Sequence, residues 1–530
     1  MYIKNKVVLW LLVLIISVFF ITWCVLFVPT NMDELCAFHR LACLYPNSCL
    51  NTFRESCSAY QVDYGYFKYF QSYNYIGITS SFLYYPLWSV WKSTNSFYTL
   101  GIIFLVIFSM TLVRTIGLGR KYAIVPFCYF PVAFSFLHDS GPVRLGMLSF
   151  PILALITSKM LDEPRAFRKL FFGLVAAVLF ILCVEDKPFY LYLFPCLLFF
   201  IIGCRTYTSG SFDISKNKLA IVLIIFLISA GLYILLFAGN VGGTSYFNYL
   251  RNASINQSSL PAVSAANQIK FQLEHIYYYT FSFPMYGSRI FEIRFDVASI
   301  FAFTLVCFLL LLIYVELKYN KKFNIVIWLF ILSYMSACII FCIMGNPRLG
   351  HHYVYLHIPV LALLLIAANK NHERFKMVVS FVLFSNIISI CVLLMTPIAG
   401  HSARERTDVF NYLRQNEVAT ENVINFSTWG GYYNQSLYGN KNQLVTFVAP
   451  LNSKGAFQLN ELAKITSRNI LNVCADCIEE PDLLSELFDY RTLSESKCNI
   501  ESMRLLFATA KVVEIQTGLE TWKMFQIDPY

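Results

Sequence analysis

Four groups of ionisable residues interrupt an otherwise apolar chain: Asp33-Glu34, His138-Asp139 with Arg144, Glu185-Asp186-Lys187, and Arg348 with His351-His352 and Tyr353. Each residue type suggests a chemistry. A carboxylate such as Asp33 or Glu34, set in a partly desolvated site, can take a proton from a hydroxyl acceptor. The competing role is a solvated helix start, where acidic residues favour the N-terminal end. Lys187 and Arg348 are cations suited to an anion such as a phosphate, the arginine in a two-pronged grip. Lys187 could equally extend to the aqueous boundary and pair with Glu185 and Asp186. His138, Asp139 and Arg144 could order a site or bind phosphate. The His138-Asp139 pair could also contribute ligands to a divalent metal, or the segment could be a polar turn before Pro142. His351 and His352 are adjacent and would point in different directions on a helix, so the two alone do not make a metal site.

The chain lacks a glycine-rich nucleotide loop, an HExxH zinc motif, a GxSxG nucleophile elbow and paired CxxC motifs. No motif therefore demands a cofactor, and a divalent metal is the one candidate.

The elements that must position these residues are membrane helices. Hydrophobic residues make up 57% of the 530 and charged residues 14%, against roughly 25% charged in soluble domains. The net charge of +10 would suggest nucleic acid in a soluble protein. Here the excess sits in short loops, where it sets topology, so nucleic acid is not an expected partner and membrane lipids are.

About eleven stretches approach the ~20 apolar residues a span needs: residues 7–28, 96–117, 121–137, 145–161, 170–184, 189–204, 219–238, 297–316, 323–343, 353–369 and 377–397. The first reads as an uncleaved span, because Pro29-Thr30-Asn31 offers no small-residue cleavage site. Lys4 and Lys6 place the N-terminus in the cytoplasm. Alternate loops, at Arg120-Lys121, Arg165 to Lys169, Arg205 to Lys218, Lys318 to Lys322 and Lys370 to Lys376, are all basic and all fall on that side. The acidic, histidine-bearing clusters then gather at the opposite face. Such a layout suits an enzyme working at the interface better than a pump, which places its charges near mid-bilayer.

The predicted fold is an all-α polytopic membrane domain over residues 1–397, with long outer loops at 29–95 and 239–296. A small soluble extracytoplasmic domain of α/β or α+β type follows at 398–530. The segment from Gly77 to Trp91 is apolar but short, and reads as a helix lying in the outer interface. In the tail, a helix is expected over Asp408 to Gln415 and strands over Asn422 to Phe426, Gln443 to Val448 and Val512 to Gln516. Of the 16 cysteines, nine lie in apolar segments as small core residues. Cys36, Cys43, Cys49 and Cys57 share the first loop, where an extracytoplasmic location favours one or two disulfides. Cys474, Cys477 and Cys498 lie in the tail.

Together these features resemble the GT-C superfamily of membrane glycosyltransferases, in particular the branch of protein O-mannosyltransferases and the lipid-A aminoarabinose transferase. The features shared are Asp33-Glu34 just past the first span, an interfacial helix in a long first loop, and a Lys187-Pro188 turn. The segment from Arg348 to Pro359 and the outer tail complete them. The resemblance implies transfer of a sugar from a polyprenyl-phosphate donor to a glycan, lipid or protein acceptor at the outer face. It makes Asp33 the general base or acceptor-orienting carboxylate with Glu34 in support, and gives Lys187 and Arg348 the donor phosphate. His138, Asp139, Arg144, Glu185, Asp186, His351, His352 and Tyr353 become supporting residues or metal ligands. The loop cysteines are not part of that pattern, and His138-Asp139 matches its second acidic motif only loosely. Neither an MIR-type domain nor a WWD motif is found. The segment Ser427 to Gly439 resembles a turn that seats an acceptor in related outer domains, or is a packed aromatic turn.

Two alternatives stand beside this one. An O-antigen polymerase or ligase would use Arg251 and His275 on the 239–296 loop. A transporter or flippase of lipid-linked sugars would show broken helices, charges deep in the membrane or related halves, and only Arg114 lies well inside an apolar segment. The expected location is a bacterial inner membrane, with the site and tail in the periplasm. Four N-x-S sequons, at Asn252, Asn256, Asn425 and Asn434, would face the lumen in an endoplasmic reticulum.

Overall fold

The computed structural model describes residues 59–64, 67–72, 79–90, 94–138, 143–187, 189–210, 216–237, 324–343 and 350–395, with isolated positions between 273 and 318. It also describes strands at 423–427, 444–447, 469–474, 511–516 and 521–527. Asp33, Glu34, Asp139, Arg348, the first span and the cysteines of the first loop lie outside the described residues, as do the 408–415 helix and nearly all of the 239–316 region.

A two-stranded antiparallel hairpin, β1 (Ala59–Tyr64) and β2 (Phe67–Ser72), pairs Ala59 with Ser72 and Tyr64 with Phe67. The helix α1 (Thr79–Val90) follows. Its 12 residues reach roughly 18 Å at ~1.5 Å per residue, well short of a ~30 Å hydrocarbon core. This agrees with a short helix that does not cross.

The helical body then comprises α2 (Thr94–Thr115), a 3-10 turn (Arg120–Ala123), α3 (Ile124–Cys128), α4 (Phe130–His138), α5 (Val143–Asp162) and α6 (Ala166–Asp186). It continues with α7 (Phe189–Tyr192), α8 (Phe194–Ser209), α9 (Lys216–Phe237) and α10 (Asn324–Ile343). A second 3-10 helix (Gly350–Leu356), α11 (His357–Ala368) and α12 (His372–Met395) complete it. Among the described residues four helices are long and apolar enough to cross a membrane: Tyr98–Thr115, Val143–Asp162, Ala166–Asp186 and Asn324–Cys342. Phe194–Ser209, Lys218–Tyr233 and Tyr353–Asn369 are shorter apolar segments. Their outward faces carry side chains such as Phe167, Leu170, Leu227 and Trp328, all more than half exposed. Such faces suit lipid contact, since a helix apolar all round is a membrane span or a core helix.

The stretch expected as one span over 121–137 is instead broken at Tyr129, which is extended (φ −71°, ψ 112°). Proline explains the break. Pro131 has no N–H to give, and its ring would strike the carbonyl four residues back. The backbone groups exposed there are met by one side chain on α12. Asn386 accepts the Phe130 N–H at 3.0 Å and donates to the Cys128 carbonyl at 2.7 Å. Beside it the Tyr129 hydroxyl and His357 Nδ1 are 3.1 Å apart, both residues buried. The 189–204 stretch is likewise divided, with Pro195 in the first turn of α8, where a missing N–H costs nothing.

The core is aromatic. Phe150 packs against Tyr190, Phe200 and Tyr355 at centroid separations of 5.8, 6.0 and 5.8 Å. The pairing of α8 with α10 adds polar contact, since Ser333 donates to the Cys196 carbonyl at 2.8 Å.

In the tail, a five-stranded sheet has the order β4-β3-β5-β7-β6, with β3 (Val423–Ser427), β4 (Leu444–Phe447), β5 (Asn469–Cys474), β6 (Lys511–Gln516) and β7 (Thr521–Ile527). The β3 strand runs parallel to β4 and β5, while β7 is antiparallel to β5 and β6. The strands expected near 422, 443 and 512 are present, and β5 and β7 are additional.

Candidate functional site

The Glu185-Asp186-Lys187 cluster sits where α6 ends, and all three residues are buried, at 5%, 1% and 4% exposure. Proline at position 188 stops the helix, and Lys187 turns extended (φ −146°, ψ 103°) as the residue before a proline prefers. Charges so shielded from water need partners, because uncompensated burial costs several kcal/mol per ion.

The two carboxylates find theirs on α1. Glu185 Oε2 accepts the Thr79 N–H at 3.2 Å and also the Thr79 hydroxyl. Asp186 Oδ1 accepts the Ser80 N–H at 2.9 Å, while its Oδ2 takes the Ser80 hydroxyl. The first amides of a helix have no partner within it, and two anions placed at that end also oppose its positive pole. The acidic pair thus caps a helix 106 residues away in sequence.

Lys187 is fixed through its backbone. Its N–H donates to the Cys183 carbonyl at 3.0 Å, and its carbonyl accepts the Tyr190 N–H at 2.8 Å. The Tyr190 hydroxyl is hydrogen-bonded to Ser149 on α5, and Ser149 donates to the Gly146 carbonyl at 2.6 Å.

Arg144, one residue into α5, is fully buried. Its Nη2 donates to the Leu137 carbonyl at 2.8 Å, in the last turn of α4, where carbonyls lack intrahelical partners. The guanidinium stands 5.8 Å from the Tyr84 ring centroid of α1, within cation–π range. Gly101 on α2 makes this placement feasible. A Cβ there would lie 2.2 Å from the Phe136 carbonyl oxygen and 3.0 Å from Arg144 Nη2. Arg144 and the acidic pair therefore meet through α1, one beneath its ring and the other at its start.

Tyr353 is buried in the second 3-10 helix, its ring 4.8 Å from Phe341. Phe341 stacks on Phe189 at 5.4 Å, and Tyr355 lies 6.3 Å from Tyr190. Aromatic packing thus joins the segment after Arg348 to the one after Lys187. His138 closes α4, and His351 and His352 fall in the second 3-10 helix. Among the described residues no group of three or more His, Cys, Asp and Glu side chains is placed to hold a metal ion. Among the described residues, Cys128, Cys183, Cys196, Cys204, Cys307, Cys338 and Cys342 are free thiols.

Of the residues singled out from sequence, the structure brings Arg144, Glu185 and Asp186 against α1, with Lys187 buried next to Asp186 in the chain and Tyr353 on the adjoining aromatic wall. Thr79, Ser80, Tyr84, Ser149, Tyr190 and Gly101 were not foreseen. Hydroxyls opening an apolar helix carried the one available signal, since Ser and Thr favour helix starts.

No protein-family model matches the sequence, and no curated protein does. Among solved structures the chain is similar to the Archaeoglobus fulgidus oligosaccharyltransferase. Against the apo form identity is 12% and the TM-score 0.44, covering 97% of this chain and 74% of that one. Against the complex with Zn and sulfate identity is 11% and the TM-score 0.42, covering 98% and 73%.

Proposed function

We propose that this chain is a GT-C-type integral membrane glycosyltransferase, moving a sugar from a polyprenyl-phosphate donor to an acceptor at the membrane face where α1 lies. The observation that carries this reading is the buried cluster of Arg144, Glu185, Asp186 and Lys187 at one end of apolar helices, built around a helix too short to cross. Charges held at the interface, dry but near water, suit group transfer from a lipid phosphate.

In this reading the acceptor hydroxyl attacks the anomeric carbon. Its proton passes to the Asp33 carboxylate, with Glu34 in support, and the bond between that carbon and the phosphate oxygen breaks. Lys187 and Arg348 hold the departing phosphate, since a lipid phosphate leaves with cationic help and needs no strong acid. Glu185 and Asp186 hold α1, and Arg144 supports it from below. The donor's sugar, and whether the acceptor is glycan, lipid or protein, would be set by the outer loops and the tail. A bacterial inner membrane with the site and tail periplasmic is the proposed setting.

The test is turnover by the purified full-length protein with a panel of polyprenyl-phosphate sugars. Asp33→Asn is expected to abolish transfer while leaving the thermal transition in place, and Lys187→Gln to raise KM for the donor more than it lowers kcat. Wild-type turnover in Asp33→Asn would remove Asp33 from the mechanism.

A further inference from the structure

The opposite end of the helical body carries a second constellation, unrelated to the charged cluster around α1. The helix α2 ends in a left-handed glycine, Gly117 (φ 76°). Leu118 N–H reaches the Val113 carbonyl at 2.9 Å and Gly117 N–H the Arg114 carbonyl at 3.0 Å, a cap that reverses the chain sharply. The turn sets the following 3-10 segment beside the end of α8, where Thr208 Cγ2 lies 3.2 Å from the position of a Gly117 Cβ.

Three elements then converge. Tyr122 of the 3-10 turn is buried and meets the Phe375 ring of α12 edge-on at 5.3 Å. Lys121 Nζ stands 5.0 Å from the Tyr122 ring centroid. Tyr207, in the last turn of α8, accepts a hydrogen bond from Asn369 Nδ2 at 3.1 Å. Lys370 follows Asn369 directly, and Arg374 precedes Phe375, its N–H accepted by Asn371 Oδ1 at 2.8 Å. Glu373 pairs with Lys376 at 2.7 Å, Asp162 with Arg205 at 2.5 Å, and Glu163 accepts the Arg165 N–H at 3.2 Å.

We propose that Lys121, Lys370 and Arg374 form a headgroup site for one anionic phospholipid, with Tyr207 and Asn369 at its floor. Cations contributed by two separate elements share one rim, and like charges are gathered more readily when an anion joins them. Partial desolvation of the Lys370 ammonium on an otherwise exposed side chain, aided by Arg374, pushes it down to about 8, in keeping with a crowded cationic rim. A lipid is the source because Tyr207 and Phe375 are half-buried where the apolar flanks of α8 and α12 give way to exposed Lys370 and Asn371. Aromatic rings and cations at that level mark the headgroup layer. The inference is independent of the enzymatic proposal.

The experiment is native mass spectrometry of the full-length protein in detergent, titrated with dioleoyl phosphatidylglycerol or dioleoyl phosphatidylcholine. Phosphatidylglycerol should be retained in preference. Each cation removed should weaken it roughly fivefold, and Lys121→Gln/Lys370→Gln/Arg374→Gln by about a hundredfold. The comparison is Arg165→Gln/Arg168→Gln/Lys169→Gln, which removes the same charge from the start of α6 and should bind as wild type. Equal weakening in both triple variants would reveal diffuse surface charge and overturn the site. So would equal retention of the two lipids, or displacement of the bound lipid by excess inorganic phosphate, which would identify a soluble anion as the occupant. Should the triple variant fold poorly, Lys370→Gln alone must still show its fivefold loss.

Discussion

Replacing Asp186 with alanine tests whether α1 is held by the end of α6. Asp186 is 1% exposed and receives both the amide and the hydroxyl of Ser80. Its removal leaves those two donors, on a residue itself 1% exposed, without the carboxylate. Each orphaned donor costs about 1–3 kcal/mol. Losing the anion at the helix start adds ~0.3–1 kcal/mol, while relief of the carboxylate's own desolvation works the other way. The net expectation is a local loss of at least ~2 kcal/mol, a factor of roughly 30 in the opening equilibrium. Hydrogen exchange on peptides spanning residues 79–90, in detergent, measures it directly. Exchange there should quicken by about that factor, while peptides from α8 and α10 remain protected. Ser80→Ala removes the hydroxyl but keeps the amide bond, and should cost only ~1 kcal/mol. In the double variant the two losses should add to less than their sum, because both groups belong to one contact. Unchanged exchange over 79–90 in Asp186→Ala, or strict additivity, would refute the clasp.

Gly101→Ala drives a methyl to within 2.2 Å of the Phe136 carbonyl and 3.0 Å of Arg144. It should lower the melting temperature through a loss of ~1–3 kcal/mol or more, measurable by thermal unfolding in detergent. Asn386→Ala strands the Phe130 N–H and the Cys128 carbonyl at the helix break. It is expected to cost about 2–6 kcal/mol, and Asn386→Leu, which restores volume without polarity, should not recover it. Lys370 has its pKa lowered from 10.5 to about 8, chiefly by burial. Between those values the unfolded chain binds more protons than the folded one, so this residue makes stability rise with pH across the window from about 8 to 10.5. Subtracting the melting profile of Lys370→Gln from that of wild type should isolate this rise, and coincident profiles would exclude it.

Much of the helical layout was legible because long apolar runs announce themselves, and α2, α5, α6 and α10 fall on expected spans. The break at Tyr129 was not read from composition, although Pro126 and Pro131 stood in the sequence. What decides it is the pairing of two exposed backbone groups with Asn386, more than 250 positions away. Within the charged cluster, Glu185, Asp186 and Lys187 were marked by their rarity in an apolar setting, yet their partners were not. Thr79 and Ser80 are ordinary residues, and only tertiary contact gives them a role. The strands β5 and β7 carry Asn472, Lys523 and Gln526 among their apolar residues, which blurs the strand pattern. The β1–β2 hairpin did leave a signal, since the alternating run Ala59–Tyr64 is followed by Gly65-Tyr66, in the two-residue form that hairpins favour, and then by an aromatic-rich run.

The bond between residues 79–80 and 185–186 also sets an order for biosynthesis. A ribosome adding ~5–20 residues per second needs about 5–20 s to make the intervening 106 positions. Over that interval the start of the nascent segment lacks this anchor and must wait, accessible to chaperones and proteases, until the later helix has been inserted. Substitutions at Thr79 or Ser80 should thus reveal themselves first in how much protein accumulates in the cell, before any deficit in the mature molecule is seen.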